Sequence, residues 1–123
     1  MGYQERATIL ALADTLAEVL SDKRALLVAS SDLSHYCSAE QAAVLDERVV
    51  DYVNRFDLEG PLGEFERYPQ QDRGGATLRA AAVLRAARVL GATEATVLKR
   101  ADSGDVSGDK TQVVGYLAAI MTT

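Results

Sequence analysis

"LLVASSDLSHY", residues 26–36, sets an unbroken aliphatic run directly against a cluster of polar side chains. Arg24 to Ser30 contains "ALLVA", apolar on both faces of an extended chain, the pattern of a central strand buried in a parallel sheet. Ser30, Ser31, Asp32, Ser34 and His35 follow at once, and His35 is the chain's one histidine. In open α/β sheets, ligands bind beyond the carboxyl ends of the strands, where the loops begin. The stretch therefore predicts an α/β fold with its polar groups delivered to the edge that carries chemistry.

The flanking segments complete a layered arrangement. Between Gln4 and Leu20, the residues Ile9, Leu12, Ala13, Leu16, Val19 and Leu20 share one side of a helix, opposite Gln4, Asp14, Thr15 and Glu18. A second helix is expected from Ser38 to Phe56, opened by Ser38 and Gln41 at capping-box spacing. Its apolar arc is Leu45, Val49, Tyr52, Val53 and Phe56, with Glu47, Arg48 and Asp51 pointing away. Residues 57–76 hold both prolines and four glycines. A twenty-residue connection without structure is uncommon, so either "LGEFERY" forms a short helix or the stretch helps build a site. "ATLRAAAVLRAARVLG" reads as a third helix closed by Gly91, solvated only on the Arg85 and Arg88 side. "EATVLKRA" and "TQVVGYLAAIM" read as strands, the second apolar enough to be central. A helix covering a fully apolar strand is the mark of an α/β layer structure, and residues 1–123 read as one domain.

Composition narrows the function. The chain is 48% hydrophobic and 25% charged, as ordinary soluble proteins are. Its net charge of −5, with no basic stripe, argues against nucleic acid as a partner. No segment approaches the roughly 20 apolar residues of a membrane span, and "MGYQERATIL" lacks the features of a secretory signal. One cysteine, Cys37, excludes an internal disulfide and fits a reducing cytoplasm.

His35 is the natural proton carrier of the polar cluster, since imidazole titrates nearest neutrality. Asp32 would hold one ring nitrogen and leave the other free. The bland alternative is that Ser31 or Asp32 caps a turn and His35 is a hydrogen-bonded surface or core residue. Arg79 falls inside the apolar arc of its helix, either extending its stem to reach water or aiming at an anion. The tandem Ser-Gly-Asp of "DSGDVSGDK" suits a solvated turn and does not match the calcium-loop pattern. Cys37 and His35, two apart, do not face each other on a helix. The glycine-flanked nucleophile elbow of serine hydrolases is absent, as are the glycine-rich nucleotide motifs.

"LLVASSDLSHY" resembles the Ser-Ser-Asp-x-x-His segment of the Memo family, including its microbial branch called AmmeMemoRadiSam system protein B. "AEQAAVLDERVVDYV", "GGATLRAAAVLRAARVLGA" and "SGDVSGDKTQVVGYLAAIM" resemble, in order, that family's following helix, the helix after its Cys-Gly element and its closing segment. The resemblance covers essentially all 123 residues. It implies the C-terminal half of a fold similar to class III extradiol dioxygenases, with a non-haem metal site and a neighbouring acid/base histidine that His35 matches. Asp32 and His35 are the candidate catalytic residues, and Ser30, Ser31, Arg79 and Asp105 the candidate substrate-binding residues.

Two departures limit that implication. The family's domain is about twice as long as this chain, and its metal-binding histidines belong to the N-terminal half. Its Cys-Gly element aligns with Arg73-Gly74, and an arginine cannot replace a thiolate ligand. No metal ligands are therefore assigned in this chain, which is expected to be inactive alone. A non-haem Fe or another divalent metal enters only if a partner supplies ligands. The expected setting is a redox or protein-modification system in the cytoplasm, with a possible small-molecule ligand. The alternative is a non-catalytic α/β module for binding or oligomerisation. An open apolar sheet edge invites pairing, so a homo-oligomer or an N-terminal-half partner protein is expected.

Overall fold

The computed structural model describes residues 5–67 and 74–123, with the backbone alone for Phe65 and residues 74–79. The order is α1 (Arg6–Leu20), α2 (Ala39–Asn54), α3 (Glu59–Arg67), α4 (Gly74–Val89), β1 (Glu94–Asp102), α5 (Gly104–Ser107) and β2 (Gly115–Thr122). β1 and β2 form a two-stranded antiparallel sheet, with Glu94 opposite Thr122, Asp102 opposite Gly115, and an irregularity between Val97 and Lys99. Helix α2 packs on both strands, and α4 packs on α1 and α3. The result is an α/β fold with helices laid on a sheet. Among the described residues no helix is long and apolar enough to cross a membrane.

The helices follow from local chemistry. Ser38 accepts the Gln41 amide on its hydroxyl while the Gln41 side chain accepts the Ser38 amide, a reciprocal cap that satisfies two otherwise orphaned donors. The α2 stripe that becomes buried is Ala42, Asp46, Val49 and Val53, one residue per turn at helical spacing. On α1 the buried line is Ile9, Ala13 and Ala17, narrower than the arc expected from hydrophobicity, and Leu12 and Val19 remain exposed. The reason is the partner: α4 presents Ala81, Ala82, Leu84 and Ala86 to the core, and small side chains bring two helices together along a narrow seam. Arg85 of α4 clamps Asp14 of α1 through two hydrogen bonds of 2.8 and 3.1 Å. Arg88 stacks 4.5 Å above the buried Phe56 ring and donates to the Phe56 carbonyl, so part of the expected solvated side of α4 is a contact. Helix α3 answers the question posed by residues 57–76: Asp57 caps its first amides, and Leu62 joins Ile9, Ala81 and Ala82 in the core.

One expectation is overturned. Arg24 to Ser30 forms no strand, and the sheet is antiparallel rather than parallel. Leu26 and Val28 are 88% and 69% exposed. A strand needs neighbours for its backbone N–H and C=O groups as well as apolar cover for its side chains. Here the segment lines, together with Leu117 to Met121 of β2, a cleft of about 420 Å³, and no ladder bridges it. Among the described residues β2 accordingly has one strand neighbour instead of two, and its burial alternates rather than being continuous. Aliphatic composition reports what a segment would bury, not whether its pairing partners lie in the same stretch of chain.

Candidate functional site

The polar half of the opening stretch is tied down where the apolar half is not. The Leu33 amide donates to the Gly115 carbonyl, and the Gly115 amide donates to the Ser34 carbonyl, each at 2.9 Å. Three residues past Ser34, the Val113 amide donates to the Cys37 carbonyl at 2.9 Å, within an isolated antiparallel bridge. The Ser34 amide donates to Asp46 Oδ1 of α2 at 3.0 Å. Leu33 is buried against Val49 and Leu117. Residues 33–37 are thereby stitched to the approach to β2 and to α2.

Asp32 and His35 flank this anchored centre. Their side chains meet on the outer side, with His35 Nε2 3.4 Å from Asp32 Oδ2. The imidazole is 29% and the carboxylate 57% exposed, so the pair faces solvent without being loose. A carboxylate at one ring nitrogen leaves the other free for a proton acceptor or donor. Ser31 donates its hydroxyl to the Asp32 carbonyl at 2.9 Å and lines the apolar cleft, while Ser30 is exposed. Tyr36 adopts a left-handed φ of 59° and lies beside the imidazole at 5.8 Å between ring centroids. That backbone costs a bulky residue about 1–2 kcal/mol, and it is held by the stitches at Ser34 and Cys37 on either side.

Asp105 belongs to a different neighbourhood. It accepts from Lys110 Nζ at 2.5 Å and from the Asp102 amide at 3.0 Å. Lys110, and then the Asp102 amide, hold its carboxyl below the usual carboxylate value. With Asp46, Arg100 and Asp102 it lines a separate cavity of about 250 Å³. Among the described residues no hydrogen bond joins Asp105 to Asp32 or His35. The second Ser-Gly-Asp is equally committed, since Asp109 accepts the Thr111 hydroxyl at 2.6 Å and the Thr111 amide at 2.8 Å, which lowers its pKa. The backbone of Arg79 lies within α4; its side chain, and Arg73 altogether, lie outside the described residues.

Sequence reasoning passed over Asp46 and gave Ser34, though it stands in the polar cluster, no role of its own. Asp46 is 3% and Ser34 2% exposed. Asp46 was visible in principle: it shares the 42–46–49–53 line that proves to be the buried stripe of α2, a place where a carboxylate is out of keeping. Among the described residues no group of three His, Cys, Asp or Glu side chains is arranged to hold a metal ion. Cys37 is a half-buried free thiol. The donors of the described residues therefore do not fit a metal centre by themselves.

The family model described as Memo-like protein matches residues 1–120. A MEMO1 family protein of Methanosarcina mazei is 42% identical over 98% of this chain and 45% of its own length. That of Methanosarcina acetivorans is 39% identical over the same shares. A third, from Aquifex aeolicus, is 39% identical over 85% of this chain and 39% of the relative. The chain thus spans less than half the length of these curated relatives. No solved structure matches it significantly. With the family model matching nearly every residue, the chain belongs to the Memo-like family.

Proposed function

We propose that Asp32 and His35 form the acid/base corner of a Memo-family site whose remaining members come from outside these 123 residues. The setting is a non-haem metal-dependent redox or protein-modification system of the cytoplasm, similar to the class III extradiol dioxygenases in its plan. The observation that carries this reading is the Asp32–His35 contact, at 3.4 Å on a segment stitched at its centre and open at its face. In this reading His35 holds or moves a proton at its free ring nitrogen. Asp32 fixes the ring's orientation, and Ser30 and Ser31 offer hydroxyls to a small-molecule ligand. Because the described residues do not supply a metal's ligands, the metal would be held by the N-terminal part of the family's domain, whether on a longer form of this chain or on a partner protein. The lone cysteine supports the reducing location.

The test uses the chain's single histidine as a reporter. The chain, ¹⁵N-labelled alone, is combined with the unlabelled N-terminal portion of the Methanosarcina mazei relative and loaded with Fe(II) or Co(II). Metal retention by the complex, with paramagnetic broadening of the His35 ring signals, is the expected result. Retention of a full equivalent of metal by the chain alone, or an undisturbed His35 in the loaded complex, refutes the reading.

A second reading, a binding or oligomerisation module without catalysis, is favoured by the exposed Leu26, Val28 and Ile120 around the apolar cleft. A homo-oligomer would bury that edge. Sedimentation velocity on the chain and on Val28→Lys tests it: self-association that the lysine abolishes supports the module, and a monomer at micromolar concentration counts against it.

A further inference from the structure

We infer that Asp46 is a positioning residue, whose buried carboxylate sets the spacing of the Asp32–His35 pair by gripping the backbone between them. The inference rests on the functional reading of that pair, and three observations carry it.

First, Asp46 occupies a place that packing alone would give to an apolar residue. Its neighbours on the α2 stripe are Ala42, Val49 and Val53, and it is 3% exposed. Burying a carboxylate is costly unless it is hydrogen-bonded. Valine or leucine would fill the same space but leave the buried Ser34 amide without an acceptor, so the carboxylate answers a requirement other than filling space.

Second, the carboxylate acts at the middle of the segment. Its Oδ1 accepts the Ser34 amide at 3.0 Å. Ser34 and Leu33 are the two residues that separate Asp32 from His35. Fixing their backbone fixes the starting points of both side chains, which are themselves partly exposed and meet only at 3.4 Å. Each is otherwise free to turn away into solvent.

Third, β2 is built to admit the carboxylate. A Cβ added to Gly115 would lie 1.9 Å from Asp46 Oδ2 and 3.2 Å from Leu33 Cβ. Gly115 does not have a left-handed φ, so the glycine is there for room rather than for backbone freedom. The same glycine exchanges hydrogen bonds with Leu33 and Ser34. Helix α2, strand β2 and the polar segment therefore converge on one carboxylate. The glycine of "VVGY" and the aspartate of "AVLDERVV" are two halves of one device.

The experiment compares the ¹⁵N-labelled chain with Asp46→Ala, Asp46→Asn, Gly115→Ala and Asp32→Asn. Amide exchange at Ser34 and the ¹⁵N shifts of the His35 ring are the readouts, with helical circular dichroism as the control for folding. In Asp46→Ala the Ser34 amide should exchange at least about tenfold faster, the usual worth of a hydrogen bond to a charged group. The His35 ring signals should move to the positions they take in Asp32→Asn. Gly115→Ala, which displaces the carboxylate, should reproduce both changes. Asp46→Asn keeps an oxygen for the Ser34 amide and should retain the original ring signals. A folded Asp46→Ala with unmoved His35 ring signals overturns the inference, as does an Asp46→Asn that behaves like Asp46→Ala. If Asp46→Ala does not fold, the contrast between Gly115→Ala and Asp46→Asn decides by the same readouts. None of these readouts needs metal or turnover, so a failure of the proposed function leaves this test intact.

Discussion

Replacing Ser34 by alanine should make the protein more stable. The Ser34 hydroxyl is buried, in a residue 2% exposed, and has no hydrogen-bond partner among the described residues. A hydroxyl taken out of water without a partner costs about 1–3 kcal/mol. Removing one oxygen also forfeits dispersion contacts of about 0.1–0.2 kcal/mol per atom pair, leaving a net gain of about 1 kcal/mol. The Ser34 amide, which Asp46 accepts, is untouched by the substitution, so the effect isolates the side chain. For a domain of this size, about 1 kcal/mol raises Tm by roughly 3–6 °C. Urea unfolding followed by circular dichroism should give a higher midpoint with an unchanged slope, the signature of a pure stability change. A variant destabilised by about 1 kcal/mol, the worth of an average hydrogen bond, would refute the reasoning by showing that the hydroxyl has a partner.

The remaining predictions concern other parts of the fold. Ser38→Ala removes half of the α2 capping box and should cost about 1 kcal/mol in urea unfolding; no measurable loss would mean that the cap is not felt. Leu84→Ala empties a side chain that is fully buried in α4 and should cost about 2–5 kcal/mol, read as a lowered calorimetric Tm. Lys110 and Thr111 respectively hold the carboxyls of Asp105 and Asp109 below the usual carboxylate value. Depressed folded-state values mean that the stability these groups contribute is present above the ordinary carboxylate range and lost as pH falls through their lowered values. Carbon-detected NMR titration of Lys110→Met should therefore find Asp105 returned toward the ordinary value and Asp109 unmoved; a parallel rise of Asp109 would show that the loop shifts as a whole.

Helix α2 was legible almost to the residue, because Ser38 and Gln41 announce its start through a chemistry that needs only four consecutive positions. The glycine at 91, with φ 102°, ends α4 for an equally local reason. The pairing of Asp32 with His35 was legible for the same cause, three residues being a short enough span for the chain to close on itself. What escaped depends on distant neighbours. "ALLVA" has the composition of a central strand, yet pairing requires edges that residues 5–67 and 74–123 do not bring to it. Leu12 and Val19 looked like core and are exposed, since the alanine face of α4 meets α1 along a thin seam. Asp46 went unremarked because an isolated aspartate in a helix is usually solvated, and only the three-way junction with Ser34 and Gly115 reveals its use.

The unpaired stretch between α1 and the anchored residues also governs how the molecule meets a protease. Lys23 and Arg24 stand exposed at its start, where the backbone is free of any regular ladder. Chain of that kind is the preferred place for nicking. Trypsin should cut there and sever α1 from the rest, yet the cut helix would stay seated through Ile9, Ala13, Ala17 and the Asp14–Arg85 clamp. The apolar cleft begins two residues past Arg24, at Leu26, so a polypeptide settled on it would cover the chain just beyond the cut.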